Sequence, residues 1–124
     1  MPATFRDLFG ERKPLIGMVH LLPLPGSPRY AGSVEAILAR AVEEARALEA
    51  GGLDALIVEN FGDAPFTPGA VDPAVIATMT AVAVEVRRAT PLPVGLNVLK
   101  IDARASLAVA HAAGGRFIRI NVHV

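Results

Sequence analysis

The chain has 124 residues, of which 52% are hydrophobic, and its twelve basic side chains balance twelve acidic ones. This balance gives no sign of the basic surface that nucleic acids require, so no nucleic-acid partner is predicted. The absence of cysteine excludes disulfides and thiolate metal sites. The sequence contains no run of about 18 apolar residues, so no transmembrane segment is predicted. The N-terminus lacks the apolar core of a signal peptide. We therefore expect a single cytoplasmic domain with a modest core.

The first half of the chain alternates apolar runs with a helical pattern. An apolar run predicts the first strand at residues 15–20, and a proline-rich loop at 22–30 follows it. Ser33 caps a helix that ends at paired glycines. The second strand then runs without a polar break into a carboxylate and an amide, Glu59 and Asn60. Strands of this kind are typical of a parallel sheet that helices cover on both faces.

The second half repeats the same units after a long loop. The pattern predicts a helix from Asp72 to about Thr90, with a proline in its first turn. A third strand at 94–99, a third helix capped by Asp102 and a fourth strand at 117–123 follow. The order of elements predicts an α/β fold of four parallel strands with three connecting helices.

One face of this sheet is predicted to be apolar at its base and polar at its carboxyl rim. Period-two alternation assigns that face: Ile16, Met18, His20, Ile57, Glu59, Gly95, Asn97, Leu99, Phe117, Arg119, Asn121 and His123. The pattern suits the inside of a barrel, which needs about eight strands and roughly 250 residues to close.

Four strands alone would leave the inner face open. Five large apolar side chains would then meet water, at a cost of about 1.5–3 kcal/mol each: Ile16, Met18, Ile57, Leu99 and Phe117. We therefore expect residues 1–124 to be a single partial domain, the amino-terminal half of a TIM (βα)8 barrel truncated after its fourth strand. The partner that completes it would be the missing second half-barrel or, as the alternative, a second copy in a homo-oligomer.

Two side chains at the predicted rim are candidate catalytic residues. Glu59 ends a buried strand, where desolvation tunes a carboxylate for acid–base chemistry; the alternative is a structural ion pair with Arg119, one layer deeper. His20 suits proton transfer, or else simply a hydrogen bond at a strand end. His123 could join them around a metal, but the tight spacings of metal ligands are absent, so no metal and no cofactor are predicted. His111 is expected at the surface.

Four further residues are candidate ligand-binding groups. Asn97 and Asn121 end neighbouring strands, where amides orient the hydroxyl or carbonyl groups of a small ligand, or else satisfy loop backbone. Lys100 could bind phosphate or form a Schiff base, and a solvated lysine is the alternative. Asp63 could reach the site from the long loop or fix a turn.

Four stretches of the chain resemble the BtpA/SgcQ family: residues 16–28, 54–65, 95–99 and 117–123. The resemblance implies an eight-fold βα barrel about twice as long as this chain. In oxygenic phototrophs, members are associated with the biogenesis or stability of photosystem I as proteins peripheral to the thylakoid membrane. Relatives also occur in organisms without that photosystem, which implies a small-molecule enzyme there.

Two functions therefore remain open on the sequence. The resemblance implies a role in photosystem I biogenesis and allows peripheral membrane association. The polar strand ends instead predict an enzyme that acts on a polar or phosphorylated metabolite, of the sugar or nucleoside type, by acid–base chemistry.

Overall fold

The computed structural model describes residues 4–63, 70–99 and 102–120. In these ranges the chain forms one four-stranded parallel sheet in the order β1-β2-β3-β4. The strands are β1 (Ile16–His20), β2 (Ala55–Glu59), β3 (Val94–Asn97) and β4 (Phe117–Ile118). The helices are α1 (Phe5–Phe9), α2 (Val34–Ala50), α3 (Pro73–Ala89) and α4 (Ala103–Ala113). This architecture confirms the predicted half of a (βα)8 barrel.

Side-chain caps set the starts of the three connecting helices, as the sequence predicts. Ser33 Oγ accepts a hydrogen bond from the backbone N–H of Ala36 at 3.1 Å. Asp72 Oδ1 accepts one from the N–H of Ala74 at 2.8 Å, and Asp102 caps α4 in the same way. Each cap satisfies one of the backbone donors that a helix leaves unpaired at its first turn.

The sheet register places inward-facing residues in level rows. One row consists of Met18, Ile57, Gly95 and Phe117. The next row toward the carboxyl ends contains His20, Glu59 and Asn97. The apolar row therefore lies directly beneath the polar one, as the alternation predicts.

Gly95 fixes the register of β4. A Cβ atom on Gly95 would lie 2.3 Å from Cε2 of Phe117, so the phenyl ring lies across β3 only because this position is glycine. Beyond that pair the backbone N–H of Arg119 donates to the carbonyl of Leu96 at 3.0 Å. Arg119 is thereby level with Asn97, and the expectation that it lies one layer deeper is wrong.

β3 is shorter than the predicted strand at 94–99. The backbone N–H of Val98 donates to Ser106 Oγ at 3.0 Å, and that of Leu99 donates to Asn60 Oδ1 at 2.7 Å. Because these two N–H groups donate to side chains, the backbone hydrogen bonding of β3 to its neighbouring strands ends at Asn97. The end of the predicted fourth strand, residues 121–123, lies outside the described ranges.

The hydrophobic core lies between the outer face of the sheet and the helices α2 to α4. Its fully buried members include Val19, Ala45, Val58, Met79, Val82, Leu96 and Val109, which come from the sheet and from all three helices. Burial of each large apolar side chain contributes about 1.5–3 kcal/mol. This core accounts for the helical stripes seen in the sequence.

The inner face is only partly covered. Ile16 is 37% exposed, and Met18 and Phe117 are half-buried, as expected for an open half-barrel. Ile57 and Leu99 are buried, contrary to the expectation. Ile57 is buried because Met18 flanks it on one side and the Phe117 ring crosses the neighbouring strand. Leu99 lies beyond the end of β3 and leaves the alternation.

Helix α1 lies near the amino-terminal ends of β1 and β4. A reciprocal capping box starts it, in which Thr4 Oγ1 accepts from the N–H of Asp7 and Asp7 Oδ2 accepts from the N–H of Thr4. The hydrogen bond that the backbone N–H of Thr4 donates to the Asp7 carboxylate, followed by one from the Thr4 side chain, holds the pKa of Asp7 below its ordinary value. A cavity of about 260 Å³ separates the helix from the sheet.

None of the helices within the described ranges combines the length and the apolar character needed to cross a membrane. His111 is exposed on α4, as expected.

Replacing Ser106 by Ala tests the hydrogen bond that ends β3. Ser106 is fully buried, and its loss leaves the N–H of Val98 without an acceptor. We expect Ser106→Ala to lower the free energy of unfolding by about 1–3 kcal/mol, measured by urea denaturation. Leu107→Ala, at the exposed next position, is the control and should change it by less than about 0.5 kcal/mol. Equal effects of the two substitutions would contradict the assignment.

Candidate functional site

Glu59 lies at the centre of the polar row. Its side chain is only 5% exposed, and three groups from three different strand ends surround its carboxylate. Asn97 Nδ2 donates to Oε2 at 2.6 Å, and Arg119 Nη2 lies 3.3 Å from the same oxygen. His20 Nε2 lies 3.5 Å from Oε1. Burial of a carboxylate is costly unless it is paired and hydrogen-bonded, and this arrangement supplies both.

The members of this cluster differ in their exposure to solvent. Glu59 is enclosed, and the ion pair with Arg119 that the sequence offered as an alternative is present. The side chains of His20 and Arg119 are 46% and 49% exposed. A ligand at the rim would therefore meet the imidazole and the guanidinium, and the carboxylate would hold both from behind.

His20 is also held by an aromatic ring. Phe61 stacks on the imidazole with ring centroids 4.5 Å apart and ring planes inclined by 16°. Phe61 belongs to a short 3-10 turn that directly follows the carboxyl end of β2 and is 54% exposed. The imidazole is thus fixed by Glu59 on its Nε2 edge and by Phe61 on one face. Sequence reasoning gave Phe61 no role.

Asn60 joins the ends of β2 and β3. Its Oδ1 accepts from the N–H of Leu99 at 2.7 Å, and its Nδ2 donates to the carbonyl of Leu99 at 3.2 Å. The amide thus replaces the backbone ladder where β3 has ended, and Asn60 is only 1% exposed. Sequence reasoning noted this amide but assigned it no function. In the sequence, this role is indicated by a polar residue at a position that alternation assigns to the packed outer face of the sheet.

Asp63 connects the proline-rich loop to the turn after β2. Its Oδ1 accepts from the N–H of Leu24 at 2.7 Å, and its Oδ2 accepts from Asn60 Nδ2 at 3.1 Å. Burial raises the pKa of the Asp63 carboxyl, and these two hydrogen bonds oppose the rise. The contacts favour the turn-fixing alternative for Asp63. It lines a separate cavity of about 320 Å³ beside the start of α3.

The structure brings three of the predicted site residues into one cluster: His20, Glu59 and Asn97. Lys100, Asn121 and His123 lie outside the described ranges, and their roles stay predictions. Within 4–63, 70–99 and 102–120, no three histidine or carboxylate side chains converge as metal ligands would.

The chain is similar in sequence to several known proteins. Residues 11–124 match the sequence profile of the BtpA family. The chain is 51% identical over 114 residues to the protein named "Photosystem I biogenesis protein BtpA" of Synechocystis, covering 92% of this chain and 40% of that protein. It is 48% identical over 117 residues to an uncharacterized protein of Pyrococcus furiosus, covering 94% and 44%. An uncharacterized mitochondrial protein of Caenorhabditis elegans is 30% identical over 118 residues, covering 90% and 43%. The chain therefore spans less than half the length of these relatives.

Replacing Asp63 by Asn tests the buried carboxyl through pH. A raised pKa in the folded state means that, just above the ordinary value of 3.8, the folded chain binds more protons at Asp63 than the unfolded chain does. The contribution of Asp63 to the free energy of unfolding should therefore fall as pH rises through that window. In Asp63→Asn this contribution should vanish, so stability relative to the original chain should improve as pH rises. Urea denaturation at steps from about pH 4 to 7 measures the difference.

The absolute stability of Asp63→Asn is not the readout, because its new amide nitrogen opposes that of Asn60. A difference between the two proteins that does not change with pH would contradict the raised pKa.

Proposed function

Since the chain belongs to the BtpA family, we propose that it supplies the amino-terminal half of a barrel active site for a small metabolite. The substrate class is a polar or phosphorylated compound of the sugar or nucleoside type, and the reaction proceeds by acid–base chemistry. The site lies at the carboxyl ends of the strands, where barrel enzymes place their catalytic groups.

The observation that carries this proposal is the buried carboxylate of Glu59 behind a half-exposed His20. A carboxylate that contacts one ring nitrogen orients the imidazole, which is the arrangement of a histidine that accepts and returns a proton. His20 is therefore the group that touches substrate. Glu59 becomes a positioning residue, although the sequence had ranked it as a catalytic candidate beside His20.

Asn97 and Arg119 support this assignment of roles. Both engage Oε2 of Glu59, which leaves Oε1 directed to His20. Since Oε2 already has two partners, rotation of the carboxylate away from His20 would break two contacts.

The other half of the site comes from outside these four strands. Ile16 is exposed and the adjoining inner face is only partly covered, which supports a covering partner for the β1 side of the sheet. The remainder of a longer chain is the partner that the length of the relatives favours. A second copy of this half-barrel is the alternative.

A role in photosystem I biogenesis is the second candidate function. The observation in its favour is the 51% identity to the Synechocystis protein of that name. A protein in this role would act at the thylakoid membrane as a peripheral component. An archaeal relative is 48% identical to this chain. A shared reaction on a small molecule would therefore fit the archaeal and the phototrophic relatives, and in phototrophs photosystem I biogenesis would depend on that reaction.

A chimera separates the two candidates. This chain would replace the matching part of the Synechocystis protein in a strain that lacks its own copy, and photosystem I content per cell would be measured. We expect His20→Gln to abolish rescue, because loss of a general acid–base group lowers a reaction rate by about 10²–10⁴-fold. Glu59→Gln should reduce rescue, because the imidazole then loses the carboxylate that positions it. His111→Gln, at an exposed histidine of α4, should rescue like the unmodified chimera. Full rescue by both site variants would refute the enzymatic proposal and favour a role through surface contacts.

A further inference from the structure

Gly62 lies where the turn after β2 crosses the loop after β1. Its backbone N–H donates to the carbonyl of Leu21 at 3.1 Å, and the backbone N–H of Leu21 donates to the carbonyl of Glu59 at 2.9 Å. Both backbone groups of Leu21 are thus bonded to the segment that runs from β2 into the turn. Because Leu21 directly follows His20, these bonds also set where Phe61, the neighbour of Gly62, lies relative to the histidine.

The crossing leaves no room for a side chain at position 62. A Cβ atom there would lie 2.5 Å from the carbonyl oxygen of Leu21, 2.8 Å from the backbone nitrogen of Pro23 and 2.9 Å from the carbonyl carbon of Leu22. All three are backbone atoms, so no side-chain rotation relieves the contact. The buried side chains of Leu21 and Leu24 anchor this loop in the hydrophobic core. A side chain at position 62 would therefore displace the turn rather than the loop.

The displacement would act on Phe61, whose ring stacks on the imidazole of His20 with centroids 4.5 Å apart. Ordinary contacts of a Cβ atom begin at about 3.4 Å. The methyl group of Gly62→Ala would therefore push the turn back by roughly 1 Å, and the attraction between two ring faces falls steeply over such a distance. The close approach of Gly62 is thus what keeps the two rings in contact.

We infer that Phe61 is a positioning residue of this site, held against His20 by the close approach of Gly62. Glu59 contacts the imidazole at Nε2 alone, 3.5 Å away, which fixes one point of the ring but not its plane. The stacked phenyl ring fixes the plane, since the two planes are inclined by only 16°. The inference rests on the proposed function only in giving His20 a reaction to perform, because the orientation itself follows from these contacts.

NMR of the 124-residue chain tests the orientation. The ring current of a stacked phenyl group shifts the imidazole protons of His20 upfield of those of the exposed His111, and His20→Gln assigns the resonances. We expect Phe61→Leu to remove this upfield shift and Phe61→Tyr, which keeps an aromatic ring, to retain it. Gly62→Ala should lose most of the shift although it keeps Phe61.

Gly51→Ala is the matched control for the glycine substitution. A Cβ atom on Gly51 would lie 3.4 Å from its nearest contact, the carbonyl oxygen of Ala47, so the methyl group fits there and the His20 protons should not move. If Gly62→Ala does not fold, the two Phe61 variants decide the matter. Imidazole protons that Phe61→Leu leaves in place, or a folded Gly62→Ala chain with the full upfield shift, would overturn the inference.

The chimera in the Synechocystis strain connects the orientation to the reaction. Phe61→Leu should reduce the rescue of photosystem I content and Phe61→Tyr should retain it, because misplacement of a reacting group by about 1 Å lowers a rate by up to about 10²-fold. Phe5→Leu, at an exposed phenylalanine of α1, should rescue fully.

The two experiments separate failure of the inference from failure of the proposed function. Full rescue by Phe61→Leu together with loss of rescue by His20→Gln would overturn the positioning role and still support the enzyme. Full rescue by His20→Gln would refute the proposed function, while an upfield shift that depends on Phe61 would still support the orientation of the imidazole.

Discussion

Glu59 carries a carboxylate that is almost completely removed from water at the end of a strand buried along its whole length. An ion in such a place is tolerated only where neighbouring groups replace the lost water. Those groups come from the ends of the other three strands, as an imidazole, an amide and a guanidinium. Because all three must reach one carboxylate, the strand ends have to lie level. The need to satisfy Glu59 therefore organises the whole rim.

Beneath the rim, the apolar row of the inner face sets the register on which the polar row depends. Gly95 lets the ring of Phe117 cross β3, and two residues later this pairing brings Arg119 beside Asn97. A shift by two residues would move the guanidinium away from Glu59 and leave the carboxylate without its cation. Packing at the base and electrostatics at the rim are thus two parts of one arrangement. The loops add a third part, since Asn60 ties the end of β3 to β2 and Asp63 ties the proline-rich loop to the turn after β2.

Local signals made most of the fold predictable from the sequence. Ser33, Asp72 and Asp102 cap helices through bonds that span two or three residues, so their meaning is visible in a short window. Period-two alternation likewise placed His20 and Glu59 on one face. Contacts between distant segments were less visible. The position of Arg119 level with Asn97 depends on a glycine in another strand, which alternation within its own strand does not reveal. The roles of Asn60 and Phe61 depend on Leu99 and His20, each 39 or 41 positions away along the chain, and no local pattern reveals such pairs.

The carboxylate of Glu59 and the guanidinium of Arg119 should act as one unit. A double-mutant cycle measures this coupling directly, with Glu59→Gln, Arg119→Met and the double variant compared by urea denaturation of the 124-residue chain. If the two groups are coupled, the double variant should lose less stability than the sum of the single variants, by about 0.5–3 kcal/mol. Effects that add to within about 0.3 kcal/mol would instead show that the carboxylate and the guanidinium are independent.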